Sequence, residues 1–186
     1  MDFNTYSEFF KEILNGNNTT APYDDAHFVE YVKLNASRQH RWIKTGVLSP
    51  ELINTIEKIK DEQHWVLITE PWCGDASHSV PFIAKIAELN PHIKLEIQLR
   101  DSDNSEIDKY LTNGGKSIPV LVVRNSNNKD LFVWGPRPAV CQEIFLEMKQ
   151  KDLTLEEQKV VLQNWYNHDK GVSIQAELNE QISAHL

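Results

Sequence analysis

The stretch Trp65-Val66-Leu67-Ile68-Thr69-Glu70-Pro71-Trp72-Cys73-Gly74-Asp75-Ala76-Ser77 decides how the rest of the chain is read. Its first five residues form an unbroken run of strand formers, fit for a short strand buried on both faces. The run stops at Glu70-Pro71, where proline supplies no ladder donor. From about Cys73 to Leu89 apolar residues return at helical spacing, at Val80, Ile83, Ile86, Ala87 and Leu89. Cys73 therefore stands where a buried strand gives way to a helix N-terminus. Pro81 falls inside that helix and is expected to kink it.

Working outward, Asn90-Pro91 ends the helix and Ile93 to Arg100 alternates like a strand. Ser105 to Leu111 reads as a helix, closed by Asn113-Gly114-Gly115. Val120 to Arg124 and Leu131 to Trp134 are the arms of a hairpin around an Asn-rich turn. Gly135-Pro136-Arg137-Pro138 breaks the chain before a helix from about Ala139. Thr154 and Glu157 make a capping box for a further helix, Gly171 interrupts it, and Ile174, Leu178 and Ile182 mark a last amphipathic piece. Upstream, residues 1–62 read as three helices: Tyr6 to Leu14, about Asp25 to Lys44, and one N-capped by Ser49 with Pro50 in its first turn. The middle order is strand, helix, strand, helix, hairpin, helix. It predicts an α/β fold with a mixed sheet of about four strands and helices on both faces, its βαβ half parallel and its hairpin antiparallel. A core over 62–150 carries helical extensions over 1–61 and 151–186.

Composition narrows the function classes. The chain has 186 residues, 40% hydrophobic and 25% charged, with 19 Lys plus Arg against 27 Asp plus Glu and a net charge of −8. That excess opposes general binding to nucleic-acid phosphates. No window approaches the 18 apolar residues of a membrane span. Met1 to Tyr6 lacks the basic start and apolar run of a signal peptide, so the expected compartment is the cytoplasm. Two cysteines, Cys73 and Cys141, exclude a disulfide framework. The seven histidines form no spaced metal motif, and Gly114-Gly115-Lys116-Ser117 lacks the spacing of a phosphate loop. No resident metal or organic cofactor is expected.

Cys73 is the sharpest chemical feature. At a helix start, free N–H groups and the positive dipole end favour a thiolate, which reads as an accessible, functional thiol; the alternative is a buried, inert cysteine. Asp75, in the same turn, suits the dipole but opposes a neighbouring thiolate. Cys141, on an apolar stripe with Ala139, Val140, Ile144, Phe145 and Met148, reads as a small core residue or as a distant resolving thiol. His78 reads as a solvated helix residue, or as an acid/base beside the thiol if the register turns it that way.

Trp72-Cys73-Gly74, in its strand–turn–helix setting, resembles the active site of thioredoxins. Ser117-Ile118-Pro119-Val120 resembles the loop whose proline is cis and faces the active cysteine in that family, and Val133-Trp134-Gly135 is similar to the strand end that lines its substrate groove. Within the family, Glu70-Pro71-Trp72-Cys73-Gly74-Asp75 with helical extensions resembles a divergent bacterial branch. The resemblance implies a thioredoxin-like fold, a nucleophile at Cys73, and a groove of Trp72, Gly74, Asp75, Ile118, Pro119 and Gly135, with His78 auxiliary. It also implies partners that carry thiols or disulfides. The departures shape the expected activity. Ala76 occupies the place of the second cysteine and Leu67 that of the buried aspartate. The expected function is thus monothiol thiol–disulfide exchange, completed by glutathione or another external thiol. The alternative is a non-catalytic peptide- or protein-binding module. An iron–sulfur carrier of the monothiol glutaredoxin kind is a weaker third, since Cys-Gly-Asp-Ala stands where those have Cys-Gly-Phe-Ser.

Overall fold

Strand β1 (Gln63–Thr69) forms on the apolar run, and Trp65 to Ile68 are entirely shielded from solvent. The computed structural model describes all 186 residues. β1 pairs in parallel with β2 (Ile93–Leu99) on one side and antiparallel with β3 (Val120–Asn125) on the other. β4 (Asp130–Trp134) adds antiparallel to β3, so the sheet order is β2-β1-β3-β4. This is the mixed sheet that the hydrophobic pattern predicts. Because β1 has a partner on each side, its C-terminal end, from which the Cys73 segment leaves, is set from both edges.

Helices α1 (Phe3–Leu14), α2 (Ala26–Thr45) and α3 (Pro50–Ile56) precede the sheet. α2 is capped by Asp25, and α3 by Ser49 with Pro50 in the first turn, the latter as the sequence predicts. α4 (Gly74–Glu88) links β1 to β2 and continues past Pro81 without a break. After β4 come α5 (Ala139–Gln150), α6 (Leu155–Asp169) with the expected Thr154–Glu157 capping box, and α7 (Val172–Ser183). α6 and α7 are separated where Lys170 and Gly171 both take left-handed backbone conformations. No helix is long and apolar enough to cross a membrane.

One element departs from expectation. Ser105 to Leu111 forms only a single 3-10 turn at Ile107–Lys109. Tertiary anchors hold this segment: the Glu106 carboxylate takes both outer nitrogens of Arg124 at 2.7 and 3.1 Å, the Glu106 N–H donates to the Gln98 side chain, and Ile107 is buried. Seven residues are too few to nucleate a stable helix against such competition.

The core is one cluster of 33 buried residues, from Tyr6 in α1 through the sheet to Ile182 in α7. The terminal helices share it with the sheet, and burying each of its large apolar side chains contributes roughly 1.5–3 kcal/mol. Gly135, just after β4, crosses the loop that carries Pro119. Its φ is +124°, and a Cβ there would press on the Pro119 carbonyl oxygen. Two backbones meet, so neither side yields cheaply. Gly135→Ala is therefore expected to cost about 2 kcal/mol or more. Urea unfolding measures this, and an unchanged midpoint would contradict so close an approach.

Candidate functional site

Cys73 occupies the N-cap position of α4, with extended backbone, and its side chain caps nothing. Its sulfur lies 3.4 Å from the Ile118 carbonyl oxygen, to which the thiol donates. The backbone N–H groups of Asp75 and Ala76, in the first turn of the helix, favour the charged form of the sulfur without capping it. The Ile118–Pro119 bond is cis, and Pro119 is buried against the Gly135 turn. Cys73, Ile118, Pro119 and Gly135 thus gather at one end of the sheet, flanked by half-exposed Trp72 and Gly74.

The expected accessible thiol is corrected by this geometry. Cys73 is only 7% exposed and belongs to the hydrophobic core. Burial first, and the Asp75 charge second, push its pKa up to about 12; the two N–H groups and Arg137 oppose that shift without overcoming it. The tension between helix dipole and Asp75 that the sequence leaves open is decided mainly by desolvation. Cys141 is fully buried, as the core reading expects; burial and Asp75 raise its pKa to about 12 as well, and both cysteines are free.

His78 is neither solvated nor directed at the thiol. It lies five residues along from Cys73, about 140° around the helix. There its Nδ1 accepts from Trp42 Nε1–H at 2.8 Å, and its Nε2 lies 3.3 Å from Gln163 Oε1. The ring stacks flat on Tyr166, with centroids 4.3 Å apart. Since Nδ1 accepts, the ring is neutral and Nε2 carries the proton, and burial pushes its pKa down to about 3.

Asp75 is a groove residue in the sequence reading; in the structure it is buried and multiply bound. Arg137 pairs with both its oxygens, Nε to Oδ1 at 2.9 Å and the outer nitrogen to Oδ2 at 2.6 Å. Tyr166 donates its hydroxyl to Oδ1 at 2.8 Å. Arg137 and Tyr166 escape the sequence reading. A charge in the first turn after a buried strand signals that a partner must exist, but not which residue 62 or 91 positions away supplies it.

The segment before the thiol is held by α2, the turn that precedes it and the turn after β2. Tyr23 donates to Glu70 Oε2 at 2.7 Å, the Asp101 N–H donates to Glu70 Oε1 at 3.1 Å, and Asn35 donates to the Pro71 carbonyl at 2.9 Å. Trp72 lies between the Arg100 guanidinium and the edge of Phe28. Leu67 is fully buried and Ala76 nearly so, and neither position supplies a carboxylate or a second sulfur to Cys73. No group of three or more His, Cys, Asp or Glu side chains is placed to hold a metal ion.

A family model described as thioredoxin matches residues 23–154, more than half of the chain, and the match takes in Tyr23, Asn35 and Trp42 of the N-terminal helical region. Among solved structures, a protein of unknown function from Pseudomonas aeruginosa is similar with a TM-score of 0.58 at 15% identity, over 87% of each chain. An HIV epitope scaffold is similar with a TM-score of 0.58 at 16% identity, over 99% of each chain. At such identities the likeness is one of fold. No curated protein matches.

The buried neutral His78 gives stability a pH dependence of fixed sign. The folded pKa of about 3 lies below the ordinary 6.5, so the unfolded chain binds the extra proton first. The contribution of His78 is fully present above about pH 6.5 and is lost progressively as pH falls toward 3. Urea midpoints at neutral and mildly acidic pH should show this loss in the wild type. A His78→Gln variant, less stable at neutral pH, should lose less between the two; an equal loss would place the acid sensitivity elsewhere.

Proposed function

The chain belongs to the thioredoxin family, and on that footing we propose that it carries out thiol–disulfide exchange with a single working thiol, Cys73. One observation carries the reading: the Cys73 sulfur sits at the N-terminus of α4, against the carbonyl of Ile118 that precedes Pro119. The free N–H groups of the first helical turn favour the negative charge that the sulfur acquires when its proton leaves. Glu70-Pro71-Trp72-Cys73-Gly74-Asp75 then marks a divergent branch of the family that works without the second cysteine.

The chemistry runs in two exchanges. Cys73 loses its proton and its sulfur attacks one sulfur of a substrate disulfide. A Cys73–substrate disulfide forms, and the other substrate sulfur leaves as a thiolate that takes up a proton. An external thiol, such as glutathione, then attacks the substrate sulfur of the mixed disulfide; Cys73 leaves as a thiolate and is reprotonated. The substrate departs joined to the external thiol, from which a second external thiol frees it, so the two electrons come from two external thiols that end as their own disulfide. Ala76 has no sulfur with which to perform the second step internally. The burial of Cys73 keeps the resting thiol protonated, and its thiolate, when formed, is strongly basic and intrinsically nucleophilic. Trp72, Gly74, Ile118, Pro119 and Gly135 form the groove in which a disulfide-bearing protein partner would lie.

The same burial favours a second reading, in which the groove binds a partner peptide and Cys73 does no chemistry. Incubation of the wild type and Cys73→Ser with glutathione disulfide separates the two by intact mass. A glutathione adduct on the wild type alone supports exchange; no adduct on either supports the binding module. In insulin reduction with dithiothreitol the wild type should be a poor catalyst. Ala76→Cys should form a disulfide with Cys73 and gain partial activity, limited because Leu67 supplies no buried carboxylate. Wild-type turnover equal to that of a dithiol thioredoxin would show that a resolving thiol exists elsewhere, with Cys141 the only other cysteine.

A further inference from the structure

Asp75 poses a problem for any chemistry at Cys73. A carboxylate two residues from the thiol, in a site that excludes water, opposes the thiolate strongly because the local dielectric is low. Arg137 meets that charge with a planar, two-contact pairing that a lysine cannot reproduce. Its remaining terminal nitrogen donates to Gln142 Oε1 at 3.1 Å, and its guanidinium lies 4.0 Å from the centre of the Phe145 ring. All three nitrogens of the guanidinium are thus engaged within the protein.

The chain path to Arg137 makes this pairing part of the site. Cys73 donates to Ile118 O, Ile118 precedes Pro119, and the Pro119 carbonyl packs on Gly135. Arg137 follows two residues after Gly135 and returns to Asp75, two residues after Cys73. The circuit is closed. α7 secures its far side, where Glu177 accepts from Trp134 Nε1 at 2.6 Å and from the Ala139 N–H at 2.7 Å, on either side of the Gly135–Arg137 turn.

We infer that Arg137 is the positioning residue of the Cys73 thiol: by pairing with and fixing Asp75 it offsets much of the charge that opposes the thiolate. This rests on the exchange chemistry proposed for Cys73. The charged and titratable groups around the sulfur are Asp75 on α4, Arg137 on the turn before α5, Tyr6 on α1 and Arg100 after β2. Around Asp75 they are Arg137, Tyr166 on α6, Arg38 on α2 and Cys141 on α5. Of these only Arg137 places a full positive charge in contact with the carboxylate.

The test uses alkylation of the full-length chain by iodoacetamide, a neutral reagent that these charges do not steer. Peptide mass spectrometry follows the rate at Cys73 from about pH 6 to about pH 10. Arg137→Gln should slow Cys73 by about tenfold and move its pH profile upward by about one unit. Arg137→Lys, which keeps the charge but not the two-contact pairing, should fall between the wild type and Arg137→Gln. Adding Asp75→Asn to Arg137→Gln should restore the rate, because the opposing charge is then gone; a merely structural arginine would give no such rescue. If urea unfolding shows that Arg137→Gln does not fold, the isosteric Asp75→Asn alone decides, and it should speed Cys73 severalfold. An unchanged profile in folded Arg137→Gln, a double variant as slow as the single one, or an unchanged rate in Asp75→Asn would each overturn the inference. Alkylation needs no disulfide substrate. A wild type that forms no mixed disulfides would therefore refute the exchange chemistry while leaving the Arg137 result to stand or fall by itself.

Discussion

A carboxylate buried in the first turn of α4 has to be met by charge and hydrogen bonds, and the groups that meet Asp75 tie together parts of the chain far apart in sequence. Arg137 comes from the turn after β4 and Tyr166 from α6. An unpaired charge there would cost several kcal/mol, so the turn and the C-terminal helices cannot dock independently of the Cys73 segment. Burial pushes the Tyr166 hydroxyl well above its ordinary pKa, with the Asp75 charge adding to the shift, which keeps it a proton donor to that carboxylate. Its ring meanwhile covers His78.

The N-terminal helices act on the same few residues from the other side. Tyr23 and Asn35 hold Glu70 and Pro71, and Trp42 holds His78. Residues 70–78 are gripped in turn by α2, the segment before it, and α6. The helical extensions are therefore part of the site's construction. This explains why a thiol at a helix start, ordinarily an exposed position, ends up inside the core: the flanking segments are drawn in by their own buried polar contacts.

The surroundings of Cys73 are consistent with one another. In a dithiol member of the family a buried carboxylate serves the second thiol; here both places are apolar, at Leu67 and Ala76. The remaining sulfur keeps the features that act on a single thiol: helix N–H groups, the Ile118 carbonyl and the neighbouring cis-Pro119. Desolvation dominates those favourable contacts at rest and keeps the thiol protonated.

Local signals made much of this protein legible from its residues. The run Trp65 to Thr69, the caps at Ser49 and Thr154, and the hairpin around Asn125 to Asp130 determine strand and helix positions because each depends on neighbours within a few residues. The junction at Cys73 and the approach of the Ile118–Pro119 loop were legible too, the first from the change in hydrophobic period and the second from family resemblance. Tertiary structure decided what depends on distant partners. Ser105 to Leu111 gave up its helix because Arg124 and Gln98 captured Glu106. His78 became a neutral buried residue because Trp42 and Tyr166 closed over it, and Cys73 lost its exposure because the Ile118–Pro119 loop and α1, distant in sequence, packed around it. Burial and charge pairing are set by which surfaces meet, and a helix start in the sequence carries no record of the arginine that will be brought to it from 62 residues away.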